Sequence, residues 1–251
     1  MAQKYDWETL NTRLIKALKP AQNAVAIKFI KTQGELDSIP NIHYFRQKGV
    51  ACQAVGIAGH YNFPVAIQSE TFIMNYCAGA NGCAKRDAKW LSGKTLSTDP
   101  LKWFENIEAS AAHSKAMLEG CPSDDHIAMV AAPMALAAIE TPDVICMQLT
   151  PGAAFLLLSG LVQKDYQKIN FPFVGESSCT DTWGYTFNTG NPGLSLGCRG
   201  DRCFGALASD EVRITLKPHD LVKTLDGMDR LAKSGIAYPF YPDGVYPSCL
   251  L

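Results

Sequence analysis

The sequence lacks an excess of charge of either sign, and it lacks a long uninterrupted hydrophobic run. Its 251 residues carry 23 Lys and Arg against 24 Asp and Glu, a net charge of −1. This balance excludes a protein that binds nucleic acid through bulk positive charge. The longest uncharged apolar run, residues 127–139, is interrupted by Pro133 and is shorter than the roughly 20 residues of a membrane-spanning helix. We therefore predict neither a nucleic-acid partner nor a membrane partner.

Several motifs of catalysis and export are also missing from the sequence. The five histidines form no His-x-x-x-His pair, and no Gly-x-Gly occurs, which argues against a histidine-rich zinc hydrolase and against a dinucleotide-binding motif. Cys-x-x-Cys pairs are missing too, so neither a zinc ribbon nor a ferredoxin-type run is indicated. The first residues show no apolar stretch behind a basic residue, so we expect no secretory signal and a cytoplasmic protein.

The apolar pattern predicts an α/β fold. Residues 6–19 and 218–233 repeat apolar side chains at helical spacing, which predicts amphipathic helices. Apolar runs of strand length alternate with helical segments over residues 127–162, one of them a helical piece over 134–139. That order is typical of a partly parallel sheet covered by helices. We predict one α/β domain over residues 1–251, with a mixed, partly parallel sheet, flanking helices and cysteine-bearing loops at one edge.

Cysteine is the residue type that points to chemistry. The nine cysteines are too sparse for a disulfide scaffold and odd in number, and clustered cysteines in a reducing cytosol favour metal ligands or catalytic groups. Thiolates select zinc, Cu(I) or iron–sulfur clusters. Their spacing leaves three interpretations open: a cysteine-ligated metal, buried or incidental thiols, and a catalytic free cysteine. Six cysteines lie in polar, glycine-rich surroundings: Cys52, Cys77, Cys83, Cys179, Cys198 and Cys203.

Residues 175–203 are the segment with the clearest functional composition. They are rich in Gly, Ser, Thr, Asn and Cys and show little periodicity, so we predict a loop-rich functional segment. Glycines in such a segment let the backbone bend around an ion or cluster and expose amide groups that stabilise anionic sulfur. Arg199 and Arg202 add positive charge next to Cys198 and Cys203, and positive charge lowers the pKa of a neighbouring thiol.

Several stretches of the sequence resemble a known protein family. The Gly-Cys-x-Gly-Asp-Arg segment, residues 197–202, is the most specific of them. Through them, and over most of its length, the chain resembles the family catalogued as domain of unknown function 169, which is largely uncharacterised. The resembling stretches are Ala24–Phe29, Arg46–Cys52, Cys77–Ala80, Pro142–Ile145, Pro151–Ala153, Ser178–Asp181, Asn191–Arg202, Asp210–Glu211 and the final helix.

The resemblance implies a ligand set. The cysteines of the family match four positions, hereafter the four family cysteines: Cys52, Cys77, Cys179 and Cys198. Four cysteines from distant parts of one chain imply a [4Fe–4S] site in a protein of anaerobic metabolism. Cys83 and Cys203 depart from the family pattern, which does not ask for cysteine there. As further ligands they would imply a larger or second cluster; otherwise they are incidental thiols.

Three functions follow as hypotheses. The first is a cluster-dependent enzyme, an oxidoreductase or lyase that acts on a small anionic metabolite by reductive or Lewis-acid chemistry. Arg46, Arg199 and Arg202 are the candidates that bind the anion. Asp181 and Glu176 are the candidates that transfer protons. The second is a non-catalytic electron-transfer or cluster-carrier protein with a redox partner protein, and the third is a structural zinc site in a small-molecule-binding protein. In each case we expect a homo-oligomer.

Overall fold

Seven strands form one mixed β-sheet in the computed structural model, which describes residues 5–94 and 103–240. The strand order across the sheet is β2-β3-β4-β1-β5-β7-β6. Only β2 and β3 pair in parallel, and the other neighbours are antiparallel. The expected α/β fold with a mixed, partly parallel sheet is therefore confirmed. The strands are β1 Val25–Ile30, β2 His43–Tyr44, β3 Val65–Gln68, β4 Ala128–Pro133, β5 Val144–Leu149, β6 Gly193–Ser195 and β7 Val212–Leu216.

Helices cover both faces of this sheet. Most of the long ones begin at a capping side chain or at a proline in the first turn: the Asp6 carboxylate caps α1, Asn106 caps α6, and Pro218 begins α11. The helices are α1 Trp7–Leu18, α2 Gln33–Asp37, α3 Ala51–Tyr61, α4 Asn75–Ala80, α5 Ala88–Leu91, α6 Ile107–Ala116, α7 Pro151–Val162, α8 Ser178–Asp181, α9 Trp183–Thr189, α10 Arg199–Phe204 and α11 Pro218–Lys233.

The first face of the sheet carries α1, α7 and α11. Their apolar sides bury Leu14, Leu157 and Leu225 completely or nearly so against Ile145 and Ile214 of the sheet. Alternate residues of a strand point to opposite faces, so the same strands present different side chains on the other side. The amphipathic helices predicted at both ends of the chain form this layer and are confirmed.

The second face carries α3, α9 and the short cysteine-bearing helices, whereas Leu36 of the short helix α2 packs into the core of the first face. Here Ile27, Met129 and Cys146 of the sheet pack against Ala54 of α3 and Trp183 of α9. Alanine and glycine make up five of the eleven residues of α3, so this helix can lie close to the strands. The result is a three-layer arrangement in which the second face holds the polar and cysteine-rich segments.

Two local predictions differ from the structure. The predicted helical piece over 134–139 is a single 3₁₀ turn, Met134–Leu136, which ends at Ala137 in the left-handed region. The flanking strands β4 and β5 consequently do not pair with each other but lie on either side of β1, both antiparallel to it. The predicted loop-rich segment 175–203 contains α8, α9 and β6 and the start of α10.

The cysteines expected on loops at the sheet edge lie on short helices or directly before one. Cys52 is the second residue of α3, Cys77 lies in α4, Cys179 in α8, and Cys198 directly precedes α10. Residues 241–251, with Cys249, lie outside the described part of the chain. Within the described ranges, every helix is too short or too polar to cross a bilayer.

Candidate metal centre

The four family cysteines line one cavity. It has a volume of about 120 Å³ and lies between α3, α4, α8 and the start of α10. The cysteines come from four separate segments of the chain, and the strand order of the sheet brings these segments together. The four cysteines of the predicted ligand set thus share a single cavity.

Small side chains and hydroxyl groups hold these segments together. A Cβ atom on Gly200 would be in ordinary contact with two sulfurs, 3.4 Å from Cys52 Sγ and 3.5 Å from Cys198 Sγ, so α10 lies directly beside both cysteines. The backbone N–H of Cys198 donates to Ser178 Oγ. The hydroxyl of Ser177 lies 3.8 Å from Cys179 Sγ. These contacts fix the cysteine at the start of α10 against the cysteine of α8.

Burial keeps the thiols protonated in this structure. It raises the pKa of Cys77 to about 12, and it is also the main cause of the raised pKa values of Cys52, Cys179 and Cys198. The nearby Asp201 carboxylate adds to the increase at Cys52 and Cys198. A bound metal would reverse this effect, because its positive charge stabilises thiolate ligands and releases their protons.

The arrangement of the candidate ligands determines which kind of metal group, a single ion or a multi-iron cluster, could bind in the cavity. Within the described residues, no three His, Cys, Asp or Glu side chains are close enough together to hold one metal ion. A tetrahedral zinc site needs its sulfurs about 2.3 Å from a common centre. A multi-iron cluster places several metal atoms between its ligands, so its cysteines lie farther apart. The donor set of four soft thiols in one cavity fits an iron–sulfur cluster, and it is also the donor set that zinc or Cu(I) takes.

Two other predicted ligands lie outside this cavity. Cys83 is buried, with its sulfur 3.6 Å from the carbonyl oxygen of Asn81, and burial raises its pKa to about 12. Cys203 is exposed on α10. The cavity therefore brings together the four family cysteines and leaves these two departures from the family pattern outside.

The predicted charged residues separate into two groups. Arg199 is exposed and lines the cavity together with Glu176, whose carboxylate accepts the backbone N–H of Arg199. Arg202 lies outside the cavity, because its guanidinium donates to four backbone carbonyls, those of Leu196, Leu207, Ala208 and Glu211. Its role here is to hold the turn after α10.

Asp181 and Arg46 also lie outside the cavity. The fully buried carboxylate of Asp181 accepts the backbone N–H of Val174 at 3.1 Å and so anchors α8 to the chain before it. Burial raises the pKa of Asp181 to about 6. Arg46 is exposed away from the cavity lining. The predicted catalytic set of Arg199, Arg202 and Asp181 thus leaves only Arg199 at the cavity.

A buried ion pair behind the cysteines escaped the sequence analysis. Arg213 Nη2 lies 3.0 Å from Asp201 Oδ1, and both side chains are completely buried. Arg213 also lies 3.5 Å from Cys146 Sγ and stacks over the ring of Trp183. The indole N–H of Trp183 donates to Asn81. The sequence carried no signal for this pair, because Arg213 alternates with apolar residues as in a half-exposed strand, whereas its buried charge requires the partner that Asp201 supplies.

A second buried polar pair was also missed. Tyr76 lines the cavity, and its hydroxyl lies 2.9 Å from Nδ1 of His113. Burial lowers the pKa of His113 to about 4, so this imidazole is neutral at pH 7. Lone residues 37 positions apart carry no sequence signal that would join them.

The rest of the cavity lining is largely apolar. Met74, Trp103, Phe104 and Phe204 contribute large side chains to it. The cavity therefore combines thiols, one exposed guanidinium, two carboxylates (Glu176 and the buried Asp201) and an aromatic wall. These features define an α/β protein with a cysteine-lined cavity on one face of its sheet.

Comparison with known families identifies the chain further. The family model described as "Uncharacterised ArCR" (domain of unknown function 169) matches residues 13–227. The chain belongs to this uncharacterised family, as the sequence motifs suggested. No curated protein and no solved structure matches the chain.

Proposed function

We propose that this protein carries a [4Fe–4S] cluster on the four family cysteines. We further propose that it is a cluster-dependent enzyme of anaerobic metabolism, acting on a small anionic metabolite by reductive or Lewis-acid chemistry. The cytoplasmic location and the homo-oligomeric state remain predictions. The observation that carries the proposal is that four thiols from distant segments line one cavity, and these four are the ligand set that the family resemblance implies.

Bound on all four cysteines, such a cluster would supply electrons, and it would supply a Lewis-acidic iron only if one of the four did not ligate it. The chain itself holds the cysteines in place through α3 and through the hydroxyl of Ser178, which accepts the backbone N–H of Cys198. The exposed guanidinium of Arg199 is positioned to bind an anion.

Two alternatives are less well supported. An electron-transfer or cluster-carrier protein acts through a redox partner protein and needs no ligand cavity, whereas here an apolar cavity adjoins the cysteines. A structural zinc site would use the same soft thiolates but has no need of the apolar cavity that they line. The cavity therefore favours the enzyme.

Metal analysis of protein purified without oxygen tests the proposal. We expect brown protein with about four irons and four sulfides per chain. Cys52→Ser, Cys77→Ser, Cys179→Ser and Cys198→Ser should each lower the iron content. Cys83→Ser and Cys203→Ser are matched controls, because these thiols lie outside the cavity, and they should retain full iron.

Other outcomes would be equally informative. Colourless protein with one zinc per chain would replace the cluster by the zinc site. Full iron in all four family-cysteine variants would remove these residues as ligands. Iron loss in the two control variants would instead bring Cys83 and Cys203 into a larger cluster.

A further inference from the structure

We propose that the substrate class of this cavity is a small organic anion with a compact apolar body, such as an aromatic or branched-chain carboxylate. The inference deepens the proposed function and rests on it for the reaction, but ligand binding can be tested without turnover. Two features of the lining carry it, an aromatic wall exposed to solvent and a guanidinium available to an anion.

The large apolar side chains that line the cavity are more exposed to solvent than folding alone would leave them. Met74, Trp103 and Phe204 retain 42%, 53% and 52% of their surface exposed, and all three line this one cavity. Phe104 adds a fourth large side chain to the same lining. Single exposed apolar residues are common, whereas a group that converges on one concavity marks a ligand-binding site.

Arg199 is the arginine at this cavity that is available to a ligand. Its side chain forms no ion pair with a carboxylate of the described residues. By contrast, Arg202 is engaged by backbone carbonyls and Arg213 by Asp201. A guanidinium presents two parallel donors that match the oxygens of a carboxylate. The position of Arg199 beside the aromatic wall therefore favours an anion attached to an apolar group.

The size of the cavity limits the apolar group. An apolar cavity of about 150 Å³ holds one benzene molecule, and this one measures about 120 Å³. Because the proposed cluster would take the part of this cavity between the four cysteines, the space left beside the aromatic side chains would suit only a single, partly inserted ring or a branched alkyl group. Long acyl chains and large coenzymes do not fit inside it.

Binding to the full-length chain purified without oxygen tests this assignment, with calorimetry as the readout. The probes are 3-phenylpropionate, propionate, which lacks the ring, and 3-phenylpropionamide, which lacks the charge. We expect 3-phenylpropionate to bind at least about tenfold more tightly than either, since each deletion removes one interaction of about 1.4 kcal/mol. Quenching of tryptophan fluorescence gives a second readout, because Trp103 lines the cavity.

Variants connect each preference to its side chain. Phe204→Ala should reduce the advantage of 3-phenylpropionate over propionate, and Arg199→Gln should remove its advantage over the amide. Phe173→Ala and Arg46→Gln are matched controls. Both of these residues are exposed and lie outside the cavity, so their variants should bind like the unchanged protein.

The outcomes separate this inference from the cluster. If the three probes bind equally, or if the control variants weaken binding as much as the cavity variants, the substrate class is wrong. Selective binding that disappears whenever iron is present would also overturn it, because the cavity would then be filled by the cluster. If the protein contains iron but binds the three probes without selectivity, the cluster proposal stands and the substrate class is wrong. If it binds selectively but contains no iron, the substrate class stands and the cluster proposal is wrong.

Discussion

The two faces of the sheet bury different chemistry, although the same strands build both. On β7, Ile214 joins the apolar core under α1, α7 and α11, while the adjacent Arg213 points to the other face. On β5, Met147 belongs to the first face, whereas Cys146 and Gln148 meet the second. One face is a conventional hydrophobic core, and the other places thiols and charges among its apolar residues.

The difference shows that buried charges reduce the stability of the second face of the sheet. A fully buried ion pair costs desolvation free energy that its Coulomb attraction offsets only partly. Asp201 and Arg213 form such a pair directly behind the cavity, and both carboxylate oxygens accept no hydrogen bond from the described residues. Local rules are broken at functional sites more often than elsewhere. The second face therefore carries the marks of a site, and the first face supplies the stability.

The largest expected effect comes from replacing the buried arginine of the second face, and a surface arginine of the first face is its control. Arg213→Met leaves the Asp201 charge buried without its partner, so we expect a loss of about 3–5 kcal/mol in the free energy of unfolding. Arg13→Met is the matched control on the first face, where Arg13 bridges Asp226 and Asp229 at the surface, and it should cost less than about 1 kcal/mol. Chemical denaturation of both variants makes the measurement. Equal losses would erase the distinction between the faces.

A titration sharpens the same comparison. The pKa of Asp181 is raised by burial to about 6, above its ordinary value, so the folded state binds this proton more tightly than the unfolded state. Its contribution to stability is complete below about pH 4 and is lost as the pH rises through about 6. The free energy of unfolding of the parent protein should therefore fall by about 2–3 kcal/mol from this source between about pH 4 and 6. Asp181→Asn should not show this decrease.

Unfolding curves of the two proteins at several pH values from 4 to 7 test this. Asparagine keeps an oxygen that can accept the N–H of Val174, so the α8 anchor should survive in the variant. A difference between variant and parent that does not change with pH would show that Asp181 does not titrate in this range.

The first face was largely predictable from the sequence. Apolar residues at helical spacing and a proline in the first turn predicted α11 over residues 218–233, the bounds that the structure has. The same reasoning predicted α1 to within one residue at each end. Each of these helices buries one continuous apolar stripe, and the spacing of apolar residues along the local sequence is enough to predict it.

The second face was only partly predictable. The helices α4, α8, α9 and α10 have four to seven residues, too few to show a period. The grouping of the four family cysteines was implied by family resemblance, since the strand order that joins them is a long-range property. Arg213 lay in a pattern that alternates as in a half-exposed strand, yet all five residues of β7 are buried. Its burial depends on Asp201 and Trp183, which local sequence does not reveal.

The smallest expected effect tests how tightly the first face is packed. A Cβ on Gly227 would lie 2.0 Å from the carbonyl oxygen of Gly160, so Gly227→Ala must separate α11 from α7. Overpacking of this kind costs about 1–3 kcal/mol. Gly34→Ala is the matched control, because no atom lies within 4 Å of its Cβ position, and in a helix it should stabilise by about 0.5–1 kcal/mol. Opposite shifts in the midpoint of thermal unfolding are expected. If Gly227→Ala left the midpoint unchanged, the two helices would be able to separate freely, and the first face could not be the rigid support that the cysteine cavity requires.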